Sequence, residues 1–217
     1  MKKFLNVITH PVTIIFLILF VDQYIKIWVK TTMYLGQEFP VLGNWFYIHF
    51  TENPGMAFGM EFGGDYGKLA LSLFRIVAVS AIGYVLFTLP KETPKGLKIC
   101  GALVLAGAIG NIIDSVFYGV VFNDSFNQLA TFLPIEGGYS SILHGRVVDM
   151  FWFPLFDGTF PEWFPLWGGE EFLFFRPVFN VADASISVGI ALIFIFHRDF
   201  FKNKTINQKE EEVTNHQ

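Results

Sequence analysis

Long apolar blocks alternate along the chain with polar stretches punctuated by glycine and proline. The blocks run from about Pro11 to Val29, Leu69 to Leu89, Leu97 to Phe117 and Val178 to Phe196. Each is close to the ~20 residues that a helix needs to cross a hydrocarbon core. Only a helix satisfies its own backbone there. The pattern predicts an all-α membrane protein with four transmembrane helices. Lys2 and Lys3 precede the first block, as in a cleaved signal peptide. However, Asp22 and Lys26 lie inside it and no small-residue cleavage site follows, so it reads as a retained span.

The stretches between spans predict the rest of the architecture. Residues 37–62 hold short apolar runs such as Trp45-Phe46-Tyr47-Ile48 broken by Gly and Pro, the signature of a small β element. The long stretch 118–176 is rich in Trp and Phe and interrupted by Pro134, Pro154, Pro161 and Pro165. Such aromatics favour the membrane–water interface, which predicts an aromatic-rich loop on the outer bilayer surface. Basic residues assign the sides. Lys2 and Lys3, then Lys91, Lys95 and Lys98, then Arg198, Lys202, Lys204 and Lys209 flank alternate span ends. The outer loops, about 31–67 and 118–176, carry Arg146 as their one cation between Thr31 and Gly67 and between Tyr118 and Phe175. Both termini are therefore expected in the cytoplasm, with Lys30 at the outer end of span one the exception. The expected organisation is one four-span domain over residues 1–202 and a polar, disordered tail over 203–217.

Composition agrees and removes some functions. Of 217 residues, 53% are hydrophobic and 16% charged, against about 25% charged in soluble domains. The 27 Phe residues suit lipid-facing and interfacial surfaces. A net charge of −4 gives no footprint for a nucleic acid. Cys100 is the single cysteine, so no intrachain disulfide forms, and it reads as a small buried hydrophobe. His10, His49, His144, His197 and His216 are dispersed, without a pair at ligand spacing, so no metal is expected.

Ionisable groups inside spans each cost roughly 2.5–3.5 kcal/mol and demand a reason. Asp22 and Lys26 stand at i, i+4 and can neutralise each other. Gly107, Asn111 and Asp114 share one face of span three, as interhelical glue or as one wall of a cleft. Asn180 and Asp183 share a face at the start of span four, and Asp183 has no cation within a turn on its own helix. Asp149 lies in Gly145-Arg146-Val147-Val148-Asp149-Met150-Phe151, where apolar neighbours raise a carboxyl pKa. A plain ion pair with Arg146 is the alternative at that position.

Together these segments resemble the lipoprotein signal peptidases, or type II signal peptidases, bacterial four-span aspartyl proteases. The likeness rests on Asp22-Gln23-Tyr24-Ile25-Lys26, Asn53-Pro54-Gly55-Met56-Ala57-Phe58-Gly59, Gly107-Ala108-Ile109-Gly110-Asn111-Ile112-Ile113-Asp114, Val147-Val148-Asp149-Met150 and Phe179-Asn180-Val181-Ala182-Asp183. Each motif is short, but the five occur in order on four spans, covering about residues 11–197. The resemblance implies that Asp149 and Asp183 are a catalytic pair and that Asn53, Asn111 and Asn180, with Gly107, line the cleft. Asp22, Lys26 and Asp114 would shape it. The implied substrates are prolipoproteins cut before a diacylglyceryl-modified cysteine, in the bacterial inner membrane among its lipids, near the outer face. No cofactor is implied, and a monomer would suffice. Ser115 stands where the family usually has Arg, and Arg146 is the expected substitute. The spacings from Asp114 to Asp149 and on to Asp183 exceed the family's, which enlarges the outer platform. The reading from another class is a transporter or scaffold, since intramembrane Asp and Asn also mark ion pathways. The four spans show no repeat to support it.

Overall fold

The computed structural model of the chain describes residues 7–54, 64–174 and 177–197. The predicted tail over 203–217, and the part of the second motif from Gly55 to Gly59, lie outside the described residues. Helix α1 spans Pro11–Thr32, α2 Gly64–Thr88, α3 Lys95–Ile113 and α4 Val181–Phe196. At the start of α1, Pro11 occupies the first turn, where its missing N–H is no loss, and His10 Nδ1 accepts from the Val12 N–H. Burial in α1 is inverted relative to a soluble helix. Asp22, Lys26, Val29 and Lys30 are buried, whereas Phe16, Phe20 and Tyr24 are exposed. A helix that hides its charges and shows its aromatics has hydrocarbon for a solvent. The chain is a multi-pass membrane protein.

Among the described residues three helices are long and apolar enough to cross a bilayer: Pro11–Thr32, Tyr66–Thr88 and Lys95–Val121. The third continues past α3 through a π-helical turn, Asp114–Tyr118, and a last turn, Gly119–Val121. The fourth predicted span is shorter than its apolar block suggests. Val178 and Phe179 form a strand, Asn180 caps the helix, and α4 has 16 residues.

The β element also extends beyond the expected 37–62. Strands β1 (Glu38–Leu42) and β2 (Phe46–Asn53) form a hairpin, which β3 (Val147–Trp152) and β6 (Val178–Phe179) complete into an antiparallel sheet of order β1-β2-β3-β6. The predicted second loop therefore supplies β3, and the start of the predicted fourth span supplies β6. The loop also forms a separate hairpin of β4 (Phe156–Thr159) and β5 (Glu171–Phe174), whose connection stacks Phe160, Phe164 and Trp167. Strand alternation aims Ile48 and Phe50 of β2, and Val148 and Met150 of β3, into one core with Val29, Met33, Tyr118 and Phe122. Asp149, between Val148 and Met150, consequently faces the other way.

Helices α3 and α4 meet closely at Gly107. A Cβ there would collide with the Ala182 carbonyl oxygen and the Ile186 side chain, so glycine is required for the approach. Ser185 Oγ, one turn along α4, donates to the Leu103 carbonyl at 2.8 Å. The start of α4 is thereby held against the C-terminal half of α3.

Candidate active site

Lys26 lies at the bottom of the site, with a fully buried side chain. Its Nζ is 2.9 Å from Asp22 Oδ2, 2.9 Å from Asp114 Oδ2 and 3.0 Å from Asn111 Oδ1. One cation thus serves two carboxylates, where the sequence suggested a closed Asp22–Lys26 pair. The remaining lone pairs find other donors, as burial requires. Asp22 Oδ1 accepts from the Ala182 N–H at 2.9 Å, which pins α1 to the first turn of α4. Asp114 accepts from Gln23 Nε2 at 2.9 Å and from the Val148 N–H at 3.1 Å. Tyr118 donates to Gln23 Oε1 at 3.1 Å, completing the chain of bonds.

Above this base, Asn180 joins strand to helix. Its Oδ1 accepts from the Asp183 N–H at 2.9 Å, and the Asp183 carboxylate accepts from the Asn180 N–H at 3.3 Å, a reciprocal capping box. The Asn180 amide donates to Asp149 Oδ1 at 2.7 Å, to the Val148 carbonyl at 3.2 Å and to Asn111 Oδ1 at 3.1 Å. Where β6 ends at Phe179, this side chain continues the connection to β3 through Val148 and Asp149. Asn111 Nδ2 then donates to Asp183 Oδ1 at 2.8 Å. Two carboxylates from distant parts of the chain, Asp149 on β3 and Asp183 on α4, are thus tied through two amides.

Asp149 is buried, at 4% exposure, and its carboxyl is pushed up to about 7 by that burial and then by the charge of Asp183. Lys26 and the Asn180 amide oppose the rise without cancelling it. Asp183 is half-buried and forms the more open side of the pair.

The fold therefore gathers Asp22, Lys26, Asn111, Asp114, Asp149, Asn180 and Asp183, with Gly107 allowing the helix contact. Asn53 ends β2 opposite Val147, at the margin of the sheet. Arg146 sits elsewhere. It donates to Glu52 at 3.0 Å and Asp124 at 3.4 Å and lies over the Tyr139 ring. Ser115, where Arg146 was the expected substitute, donates its Oγ–H back to the Asn111 carbonyl at 2.9 Å. Sequence reading passes over Arg75. It lies mid-way along α2 and interacts electrostatically with both Asp183 and Asp149. The rule that flags Asp22, an ionisable residue inside a span, flags Arg75 equally.

Comparison with known proteins gives one family. The pattern described as Signal peptidase (SPase) II matches residues 14–198. A lipoprotein signal peptidase of Porphyromonas gingivalis is 57% identical over 184 residues, 84% of this chain and 80% of that protein. Another, from Amoebophilus asiaticus, is 38% identical over 198 residues, 89% of this chain and 80% of its own length. A solved bacterial membrane enzyme shares the fold with a TM-score of 0.57 at 24% identity, over 85% of this chain and 90% of that one.

Proposed function

The chain belongs to the signal peptidase II family, proteases that remove signal peptides from prolipoproteins, and from that premise we propose that Asp149 and Asp183 are its catalytic pair. The observation that carries this is the joining of the two carboxylates through Asn180 and Asn111, with Asp149 holding its proton up to about pH 7. Neighbouring carboxyls share a proton because both cannot ionise cheaply. Asp183, on the open side, takes a proton from water, and the resulting nucleophile attacks the scissile carbonyl. Asp149 donates its proton to the developing oxyanion and the pair then protonates the leaving amine. The Asn180 and Asn111 amides fix the relative placement of the carboxyls through each turnover. Asn53 and Gly107 contribute to the walls of the cleft.

The cut falls before the lipidated cysteine. The substrate enters from the bilayer, its signal helix beside α3 and α4 and its acyl chains among the lipids. Helix α4 is the fourth span, with β6 and Asn180 making up the missing length. Non-helical backbone is tolerable there because it is paired with β3 and buried in protein. Lysines 91, 95 and 98, and the basic residues after α4, keep those ends and both termini in the cytoplasm of a bacterial inner membrane, so the carboxylates lie near its outer face. Residues 1–202 act as one membrane domain.

A gel-shift assay in detergent tests the pair, with a diacylglyceryl-modified precursor and an unlipidated control. Asp149→Asn and Asp183→Asn should each lower turnover at least about 100-fold while the purified proteins stay folded. Substantial cleavage by either variant removes the assignment.

A further inference from the structure

The end of the bundle opposite the carboxylates carries a pocket that the chemistry does not use. Its walls are Ala81 and Val85 of α2, Leu89 just beyond that helix, Leu97 and Gly101 of α3, and Ile193 of α4. These belong to the last turns of α2, the first of α3 and the last of α4, whereas Asn111 and Asp183 lie at the other ends of their helices. The pocket encloses about 310 Å³, and every residue on its wall is apolar. From Ala81 to the end of α2 at Thr88 it follows about 10 Å of helix. Helix α2 packs chiefly on α3, and no comparable packing joins it to α4. The approach to α3 is tight at Gly101, where a Cβ would meet Leu86 Cδ1 at 2.9 Å. The pocket takes up the space left between α2 and α4.

The connection from α2 to α3 sets the charge at this end. Leu89 and Leu97, both on the wall, bracket it, and between Pro90 and Lys98 stand Lys91, Lys95 and Lys98 against Glu92. Lys91 and Lys95 are exposed, and Lys98 Nζ donates to the Lys91 carbonyl at 3.3 Å, which keeps its charge on the connection. The His197 ring lies against Gly96, so α4 ends at the same level. An apolar wall with nothing against it forfeits dispersion contacts. An all-apolar groove that ends beside a net-positive connection fits a lipid, with an acyl chain for the groove and an anionic headgroup for the lysines. Basic pockets between spans recognise such headgroups. A helix, about 10 Å across with its side chains, is too wide for this groove. An extended peptide would bring backbone groups that the wall cannot satisfy.

We propose that this pocket binds one anionic glycerophospholipid, with an acyl chain lying between α2 and α4 and the phosphate meeting Lys91 and Lys95. The bound lipid supplies the packing that α2 and α4 lack, and so fastens α2 to the bundle at the end remote from Asp149 and Asp183. The site is separate from the cleft at the carboxylates. Headgroup charge, and not the chain alone, sets its preference.

Native mass spectrometry and thermal unfolding of the full chain in detergent test this, with phosphatidylglycerol and phosphatidylcholine of identical acyl chains added over a concentration series. Wild type should retain one phosphatidylglycerol in preference to phosphatidylcholine by at least about fivefold, the effect of one lysine beside an anionic headgroup. Its Tm should climb with phosphatidylglycerol concentration as the site fills. The double variant Lys91→Gln/Lys95→Gln should bring that preference to within about twofold. Ala81→Trp, which fills the groove from an exposed position on α2, should lose the retained lipid of either kind. If Ala81→Trp does not fold, Val85→Phe, also from an exposed position, takes its place. Equal retention of the two lipids by wild type overturns the proposal, and so does a preference that survives the double variant. Undiminished retention by the groove-filling variant puts the lipid elsewhere on the surface and overturns it equally. Displacement of phosphatidylglycerol by an unlipidated signal peptide, or a dimer peak lost in Ala81→Trp, would give the groove to a peptide or to a second copy instead.

Discussion

Lys26 and Lys30 stand one turn apart on α1, both fully buried, and each organises a cluster of charge. Around Lys30 the account closes. Lys30 pairs with Glu52, Ser125 Oγ accepts from Lys30 and donates to Glu52 at 2.8 Å each, and Arg146 bridges Glu52 to Asp124. Both cations also lie over the Tyr139 ring. Two cations meet two carboxylates, and the cluster fastens the 122–146 segment to α1 and β2. Around Lys26 the account stays open. Asp22 and Asp114 share Lys26, while Asp149 and Asp183 are held by the Asn180 and Asn111 amides. The first arrangement has spent its charge on structure. The second retains a carboxyl that titrates near neutrality, which is the condition for acid–base chemistry.

Breaking the open cluster at its base has the largest expected effect. Lys26→Met leaves Asp22 and Asp114 buried without a cation and should cost about 3–5 kcal/mol of stability, read from thermal unfolding in detergent, with cleavage lost as well. Were this variant stable and active, the two clusters would not differ in the way described. Glu52→Gln strips Lys30 and Arg146 of their common partner. Its expected cost is about 3 kcal/mol, yet turnover per folded molecule should stay within about threefold of wild type. A selective loss of turnover would place the closed cluster in the chemistry.

The smallest effect sharpens the contrast through pH. The Asp149 carboxyl rises from 3.8 to about 7 on folding, so folding favours its protonated form. Stability from this group is complete below about pH 4 and is lost as pH climbs through 7. The Tm of the wild type should therefore fall between pH 5 and pH 8. Asp149→Asn, inactive but free of the ionisation, should flatten that slope and be more stable at pH 8 by on the order of 2 kcal/mol. A variant whose Tm tracks the wild type at both pH values would show that burial of Asp149 carries no such cost.

The spans were legible because hydrocarbon imposes length and composition on every crossing segment at once. Intramembrane Asp22, Lys26, Asn111, Asp114 and Asp183 were legible for the same reason, since each violates that composition. What one segment alone cannot disclose is which violation answers which. Lys26 satisfies Asp114 from another helix as closely as Asp22 from its own. Arg146 looked available to Asp149 by proximity in sequence, but it lies just before β3 and Glu52 claims it. The start of α4 was misplaced because Val178 and Phe179 are as apolar as the helix that follows, and their pairing with β3 is a long-range fact. The β strands of the second loop were hidden similarly, their aromatic content being equally suited to an interface.

Asn180 gives the order of assembly a meaning of its own. Asp149 acquires its Asn180 hydrogen bond only after the first turn of α4 has formed and settled, through Ala182, on Asp22 and Gly107. During synthesis the helices α1 to α3 and the strand bearing Asp149 emerge before α4. A half-inserted chain, surrounded by the translocating segments of other proteins, carries no competent pair of carboxylates. If the two carboxylates are the catalytic pair, the docking of a single helix completes the site, and activity arrives only with the last step of folding.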